Sequence, residues 1–227
     1  MKPSNSWDNV AHLFDTSTGE VSPQVEDNLH VAWPTLIRQL TDHLPYPLEG
    51  RVRILDFGCG PGGLARDLAD RGFEVLGLDS SPGMIALAEQ HPQDRTAFLV
   101  GSVQEIPPDA AFHGIVASMS FQFVPDLETC LSKLTDHLLP DGILTFAVFN
   151  PEFVTADEHG IFPSTDRHVR LQVAEELFPM TATWGADEYK SVLQELGYTN
   201  LYDKCHAFPE GSAGVPEYLV MTFRKAS

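Results

Sequence analysis

Short, nearly unbroken apolar runs alternate along this chain with stretches in which apolar residues return every three or four positions. The runs fall at residues 52–57, 73–78, 96–100, 114–118 and 143–149. They are too short for buried helices and lack polar alternation, so they predict strands covered on both faces, as in a parallel sheet. Residues 64–71, 82–90, 126–138 and 186–196 carry the helical period between and after them. Gly72 and Gly197 follow two of these helices where a C-terminal cap belongs. The alternation of strand and helix predicts a doubly wound α/β sheet. Residues 198–206 and 218–224 read as two further strands joined across Pro209 to Pro216.

Two regions break the rhythm. In the first 50 residues, Trp7, Val10, Ala11 and Phe14 fall at helical spacing, and residues 25–44 predict a longer helix. Pro34 either kinks that helix or begins its second half. This N-terminal helical extension either covers one edge of the sheet or closes over a ligand. Residues 150–184 have neither period and predict a long connection with little regular structure. Such a connection in a compact domain is usually functional, and it reads as a lid inserted after the fifth strand. Arg167 and Arg170 stand together there, in a chain with fourteen Lys and Arg in all. They either clamp an anionic substrate, since guanidinium pairs well with carboxylate, or form a solvated helix face. His159 and His168 are the proton acceptors this segment offers, if they are not simply surface residues.

The candidate chemistry begins where the first apolar run ends. Ile54-Leu55-Asp56-Phe57-Gly58-Cys59-Gly60-Pro61-Gly62-Gly63 is a strand, an acid and a bare glycine loop leading into a helix. Glycines there let the chain turn sharply and approach a ligand closely, and the helix N-terminus points back at it. Gly58-x-Gly60-x-x-Gly63, with Asp79 about 20 residues on, satisfies a dinucleotide fingerprint. Asp56 argues against a pyrophosphate on the loop, because two negative charges would repel. A cationic ligand suits it better.

This stretch resembles the first motif of the class I S-adenosylmethionine-dependent methyltransferases, acid-x-Gly-x-Gly, and the likeness runs over roughly residues 50–150. Val75 to Met84 is similar to the second strand, the ribose-binding acid and the next helix of that family. Phe121-Gln122-Phe123-Val124-Pro125-Asp126 resembles the segment after the fourth strand in small-molecule members, most nearly those that methylate trans-aconitate or a protein-bound diacid. Leu139 to Leu144 is similar to the turn into the fifth strand. The resemblance implies a Rossmann-like seven-stranded sheet with its last strand antiparallel, and S-adenosylmethionine as cofactor. It implies that Asp56, Gly58, Cys59 and Gly60 hold the methionine end, with Ser118 at the neighbouring strand tip. Asp79 takes the ribose with Ser80 beside it, and Met84 packs on the adenine or in the core. Ser102, which stands where an acid is common, and the amide of Val103 meet the adenine. Phe121 and Gln122 face the substrate, although Gln122 could equally hold the methionine end or brace its loop. No residue stands out as a general base.

Composition narrows the partners. The 227 residues fit a single domain, and a hydrophobic content of 43% is that of a globular protein. A net charge of −18 would repel a phosphate backbone, which sets nucleic acid aside. No apolar run approaches membrane-spanning length and the first residues are not signal-like, so a cytoplasmic protein is expected. Cys59, Cys130 and Cys205 are widely spaced, which predicts no metal site. The expected function is methyl transfer to a small molecule, such as a carboxylate-bearing metabolite. The alternatives are S-adenosylmethionine binding without methyl transfer and a nicotinamide-dependent oxidoreductase.

Overall fold

The computed structural model describes residues 6–17, 25–26, 28–44, 51–156, 161–165, 168–171, 177, 179–207 and 215–227. Five strands, β1 (Arg53–Phe57), β2 (Glu74–Asp79), β3 (Thr96–Val100), β4 (Phe112–Ser118) and β5 (Leu138–Phe149), run parallel. Three more, β6 (Ile161–Thr165), β7 (His168–Leu171) and β8 (Met180–Ala182), form a separate antiparallel sheet. The hairpin of β9 (Tyr198–His206) and β10 (Tyr218–Lys225) completes the main sheet, in the order β3-β2-β1-β4-β5-β10-β9. β10 is antiparallel to both of its neighbours, as expected for the last strand of this seven-stranded sheet.

The unbroken apolar runs have the cause read from them. Ile115, Val116 and Ala117 in β4 are all fully buried, so successive side chains on opposite faces both meet helices. Leu55, Ile115, Phe146 and Phe223 pack on one face with Leu131 and Leu193. Ile54, Val116, Ala147 and Val220 pack on the other with Leu36, Leu40 and Leu68. After β3 the chain crosses back to pair β4 with β1, so the order reverses between β1 and β4. The crevice beyond the carboxyl ends of these two strands is where open α/β sheets bind ligands.

Among the described residues of the 25–44 helix, a π-helical turn, Asn28–Ala32, runs directly into the α-helix Trp33–His43, and Pro34 begins this second half from its first turn. Two expectations need correction. That helix covers a face of the sheet rather than an edge, because Leu36 and Leu40 are both fully buried against the β1, β4 and β10 side chains. Within 150–184 there is more regular structure than the sequence suggests: a short helix, Pro151–Ala156, and the β6-β7-β8 sheet. Local antiparallel pairing through main-chain bonds builds it, with Ile161 opposite Leu171 and His168 opposite Ala182, and needs no apolar periodicity. Pro163 is tolerated beside a register shift in β6. β8 lies beside the Phe121–Phe123 turn.

Candidate functional site

The glycine loop is held from below by the tip of β2. Gly58 and Cys59 donate their amides to Leu78 O at 2.7 and 3.1 Å. Asp79 accepts from Gly60 N through Oδ2 and from Ser81 N through Oδ1, both at 2.9 Å. One carboxylate therefore ties the loop to the start of the next helix, Pro82–Gln90. Ser81 is the N-cap of that helix, accepting from Met84 N at 3.2 Å, which frees Asp79 from capping duty. Gly62, with φ of 80°, opens the Gly63–Asp70 helix in the left-handed region.

The N-terminal segment lies over this cradle. Asp8 Oδ1 accepts from Gly83 N at 2.9 Å and from the Ser81 hydroxyl, which docks the Ser6–Val10 helix on the Pro82–Gln90 helix. Trp7 then packs on Phe14 and Phe123, with ring centroids 5.9 and 5.1 Å away. The Trp33 ring comes so close to Gly63 that a Cβ there would lie 2.5 Å from it.

Together these elements enclose a cavity of about 560 Å³ at the β1/β4 crevice. Asp56, Gly58, Cys59, Gly60 and Ser118 line it, as do Asp79, Ser80, Met84, Ser102 and Val103. Gln122 lines it too, from a 3₁₀ turn, Phe121–Phe123. Phe121 does not, which corrects the expectation that it faces a substrate. It is fully buried between Phe57 and Phe146, at centroid distances of 5.4 and 5.2 Å. In the tight turn adjacent side chains diverge, and the apolar one goes to the core. Arg167 and His159 lie outside the described residues. Arg170 and His168 are on β7, so the alternative of a solvated helix face for the arginines finds no helix at Arg170.

Sequence reasoning missed much of the roof and the far wall: Trp7, Phe14, Asn28 and Trp33 above, Phe149 and Tyr218 beyond β5 and β10. The aromatic spacing in the first 50 residues signalled a buried face, but nothing local says against what it packs. Ser102 departs from the acid expected there and is itself engaged. Its hydroxyl faces Gln104 Oε1 as well as Glu105 Oε2, the latter at 2.8 Å, and can donate to only one of them.

Among the described lining residues the charged ones are Asp56, Asp79 and Asp126, all acidic. Asp56 is 1% exposed, and its Oδ2 has no hydrogen-bond partner. Burial, then the nearby Asp79 carboxylate, push its pKa up to about 8 against the opposing pull of the Ala65 amide. Burial likewise raises Asp79, opposed by its two backbone amides. Burial first, then Asp56 and Asp79, hold the Cys59 thiol well above its ordinary range, so it is no ready thiolate nucleophile.

The Asp56 shift has a measurable consequence. The unfolded chain loses this proton near 3.8, whereas the folded chain keeps it to about 8. The folded state binds more protons in between, so this group lowers stability progressively as pH rises through that window. Asp56→Asn is expected to flatten that part of the pH dependence and to raise the Tm of the ligand-free protein at pH 8, while weakening any cationic ligand. Thermal unfolding from pH 5 to pH 8.5 checks this; an unchanged pH slope would refute the assignment.

Residues 54–142 match a family profile described as a methyltransferase domain. The chain is 37% identical over 175 residues to trans-aconitate 2-methyltransferase from Delftia acidovorans, covering 74% of this chain and 60% of the relative. It is 35% identical over 96 residues to a malonyl-[acyl-carrier protein] O-methyltransferase from Serratia marcescens, covering 42% and 37%. With the acid-loop-acid cradle at the switch point, these matches support the family. Residues 54–142 carry a class I S-adenosylmethionine-dependent methyltransferase domain.

The chain also resembles the solved structure of 1,6-didemethyltoxoflavin-N1-methyltransferase from Burkholderia thailandensis, which holds 1,6-didemethyltoxoflavin and S-adenosylhomocysteine. The TM-score is 0.62 at 25% identity, over 87% of this chain and 79% of that one. The chain spans 37% to 60% of the length of the first curated relatives it matches. Among the described residues no helix is long and apolar enough to cross a membrane, and no cluster of ligating side chains is placed to hold a metal ion.

Proposed function

We propose that this chain transfers the methyl group of S-adenosylmethionine to a small-molecule acceptor. The observation that carries the reading is the buried, half-unpaired Asp56 carboxylate beside a bare loop at the β1/β4 crevice. The cofactor fits this donor set. A cation with N–H donors satisfies Asp56 Oδ2, and the loop leaves room: a Cβ on Gly60 would meet nothing nearer than Met84 Sδ, at 3.9 Å.

The residue roles in this reading are supported by their shared place on the cavity wall. Asp56 and the loop of Gly58, Cys59 and Gly60 take the methionine end, with Ser118 beside them. Asp79 takes the ribose hydroxyls next to Ser80; it already accepts two amides and retains lone pairs for more. Ser102 accepts from the adenine amino group, the Val103 amide meets the ring, and Met84 packs on its face. The sulfonium of the bound cofactor supplies a methyl group already activated for in-line displacement. The chain's task is then to orient, desolvate and bring the acceptor near. Trp7 and Phe14 roof the cavity and exclude water.

The finer reading is a carboxylate acceptor. The names of the trans-aconitate and malonyl relatives support it. So does the absence of histidine and lysine among the described lining residues, since a carboxylate needs no base to attack. In this reading the 150–184 insertion is the lid, and Arg167 and Arg170 bind the acid.

The test is thermal unfolding with S-adenosylmethionine, S-adenosylhomocysteine and NAD in parallel. It is followed by S-adenosylhomocysteine release from a panel of mono-, di- and tricarboxylic acids. Stabilisation by NAD and not by the adenosyl ligands would overturn the reading. Arg167→Ala with Arg170→Ala is expected to lower kcat/KM for an acid acceptor by roughly 100-fold, at about 1.5–3 kcal/mol per charged hydrogen bond. Unchanged kinetics would remove the arginines from the site.

A further inference from the structure

The cavity has two halves. The tips of β1, β2 and β3 carry the acids and glycines assigned to the cofactor. The tips of β4, β5 and β10, with the π-helical turn above them, supply Asn28, Gln122, Phe123, Phe149 and Tyr218. None of these five is charged, and the acid that follows Phe123 in the chain, Asp126, caps the Leu127–His137 helix by accepting from Thr129 N. The acceptor half is therefore aromatic with a few amides.

Gln122 is the anomaly in it. The residue is 1% exposed, and neither Nε2 nor Oε1 has a hydrogen-bond partner. Its neighbours in the turn are Phe121, in the core, and Phe123, against Trp7. An amide buried without partners costs free energy, and a methionine of the same length would not. Bracing of the loop does not explain it, because a brace would be bonded to something. The Phe121–Phe123 turn already has its main-chain bonds, Phe123 N to Ser120 O at 3.0 Å and Val124 N to Phe121 O at 3.1 Å.

We propose that Gln122 binds the methyl acceptor: Nε2 donates to a carbonyl or carboxylate oxygen, and Oε1 accepts from an O–H or N–H beside that oxygen. The inference rests on the methyltransferase reading and adds to it a recognition element on the acceptor. A planar amide offers a donor and an acceptor side by side, so it fixes the plane of the group it holds as well as its position. Orientation of this kind is what an in-line displacement requires. The acceptor class is a flat or partly apolar molecule that carries an oxygen of the carboxyl or carbonyl type next to a hydroxyl or amino group.

Calorimetry with S-adenosylhomocysteine on the wild type, Gln122→Met and Gln122→Glu decides it, together with the Tm of each ligand-free protein. The wild type binds the ligand; if it does not, the methyltransferase reading itself fails. Gln122→Met is expected to bind it within twofold of wild type and to keep or raise its Tm, by about 2–4 °C. A tenfold or greater loss of affinity would give Gln122 to the methionine end instead. A Tm lowered by more than about 4 °C would make it a structural residue. Either result overturns the proposal. With the acid returned by the panel as acceptor, Gln122→Met should lose about 30-fold in kcat/KM because it lacks the donor, and Gln122→Glu should match that loss only where its carboxyl is ionised. Wild-type turnover in Gln122→Met would also overturn it. The calorimetric arm needs no acceptor.

Discussion

Asp79→Ala is expected to lower the affinity for S-adenosylhomocysteine by at least about 100-fold while leaving the sheet folded. The carboxylate has two tasks. It accepts from Gly60 N and Ser81 N at 2.9 Å each, which fixes the glycine loop against the Pro82–Gln90 helix. Its remaining lone pairs take the ribose hydroxyls in the proposed complex, and hydrogen bonds to an ionised acceptor are the strong ones. Alanine removes both, and it leaves two backbone donors at the cavity wall without their partner. Asp79→Asn separates the tasks: it keeps one acceptor oxygen and points an NH₂ at one of the two amides. An intermediate loss is therefore expected. Isothermal calorimetry gives the affinities and circular dichroism the fold. Wild-type affinity in Asp79→Ala would end the ribose assignment.

Gly58→Ala is expected to be the more damaging change to the protein as a whole. Gly58 sits at φ of 73°, where an L side chain is strained. The space is also taken: a Cβ would lie 2.3 Å from Ser120 Cβ. Ser120 cannot simply turn away, because its backbone follows β4 and its hydroxyl donates to Phe57 O at 2.8 Å. Strain and overpacking together should cost about 3 kcal/mol or more, a fall in Tm of roughly 6–12 °C for a chain of this size. Ser120→Gly in the same background should return part of that, because it relieves the contact and leaves the backbone strain. A differential scanning measurement on the single and double variants reads both effects. A single variant as stable as wild type would show that β1 and β4 can separate at the site.

How much of this was legible in the sequence depended on how local the cause was. The parallel strands were, because β1, β4 and β5 are sealed on both faces and their apolar runs are broken only at single polar positions such as Asp56 and Thr145. The helix at 82–90 and the strand at 198–206 were read to the residue, since Pro82 and Gly197 punctuate them. The cradle was legible because glycine spacing and an acid on each of two strand ends are short-range signals. The small sheet at β6, β7 and β8 was not, as pairing between neighbouring segments leaves no period to detect. Phe121 and Gln122 were taken together, and only the turn geometry sends one inward and the other to the cavity. Asp8 gave no signal at all: its partners, Ser81 and Gly83, are more than seventy residues away in the chain.

That last separation bears on how the molecule is made. Trp7 and Asp8 leave the ribosome ahead of Ser81, Gly83 and Phe123. Ser81 and Gly83 follow after two strands, and Phe123 only after four. Trp7 and Phe14 are thus made before the strand tips they roof, and the Trp7–Phe123 contact closes only once four strands have been made. Until Phe123 emerges the Trp7–Phe123 contact cannot form, and the apolar surface it covers is exposed in the nascent chain, the state in which chaperones engage their clients.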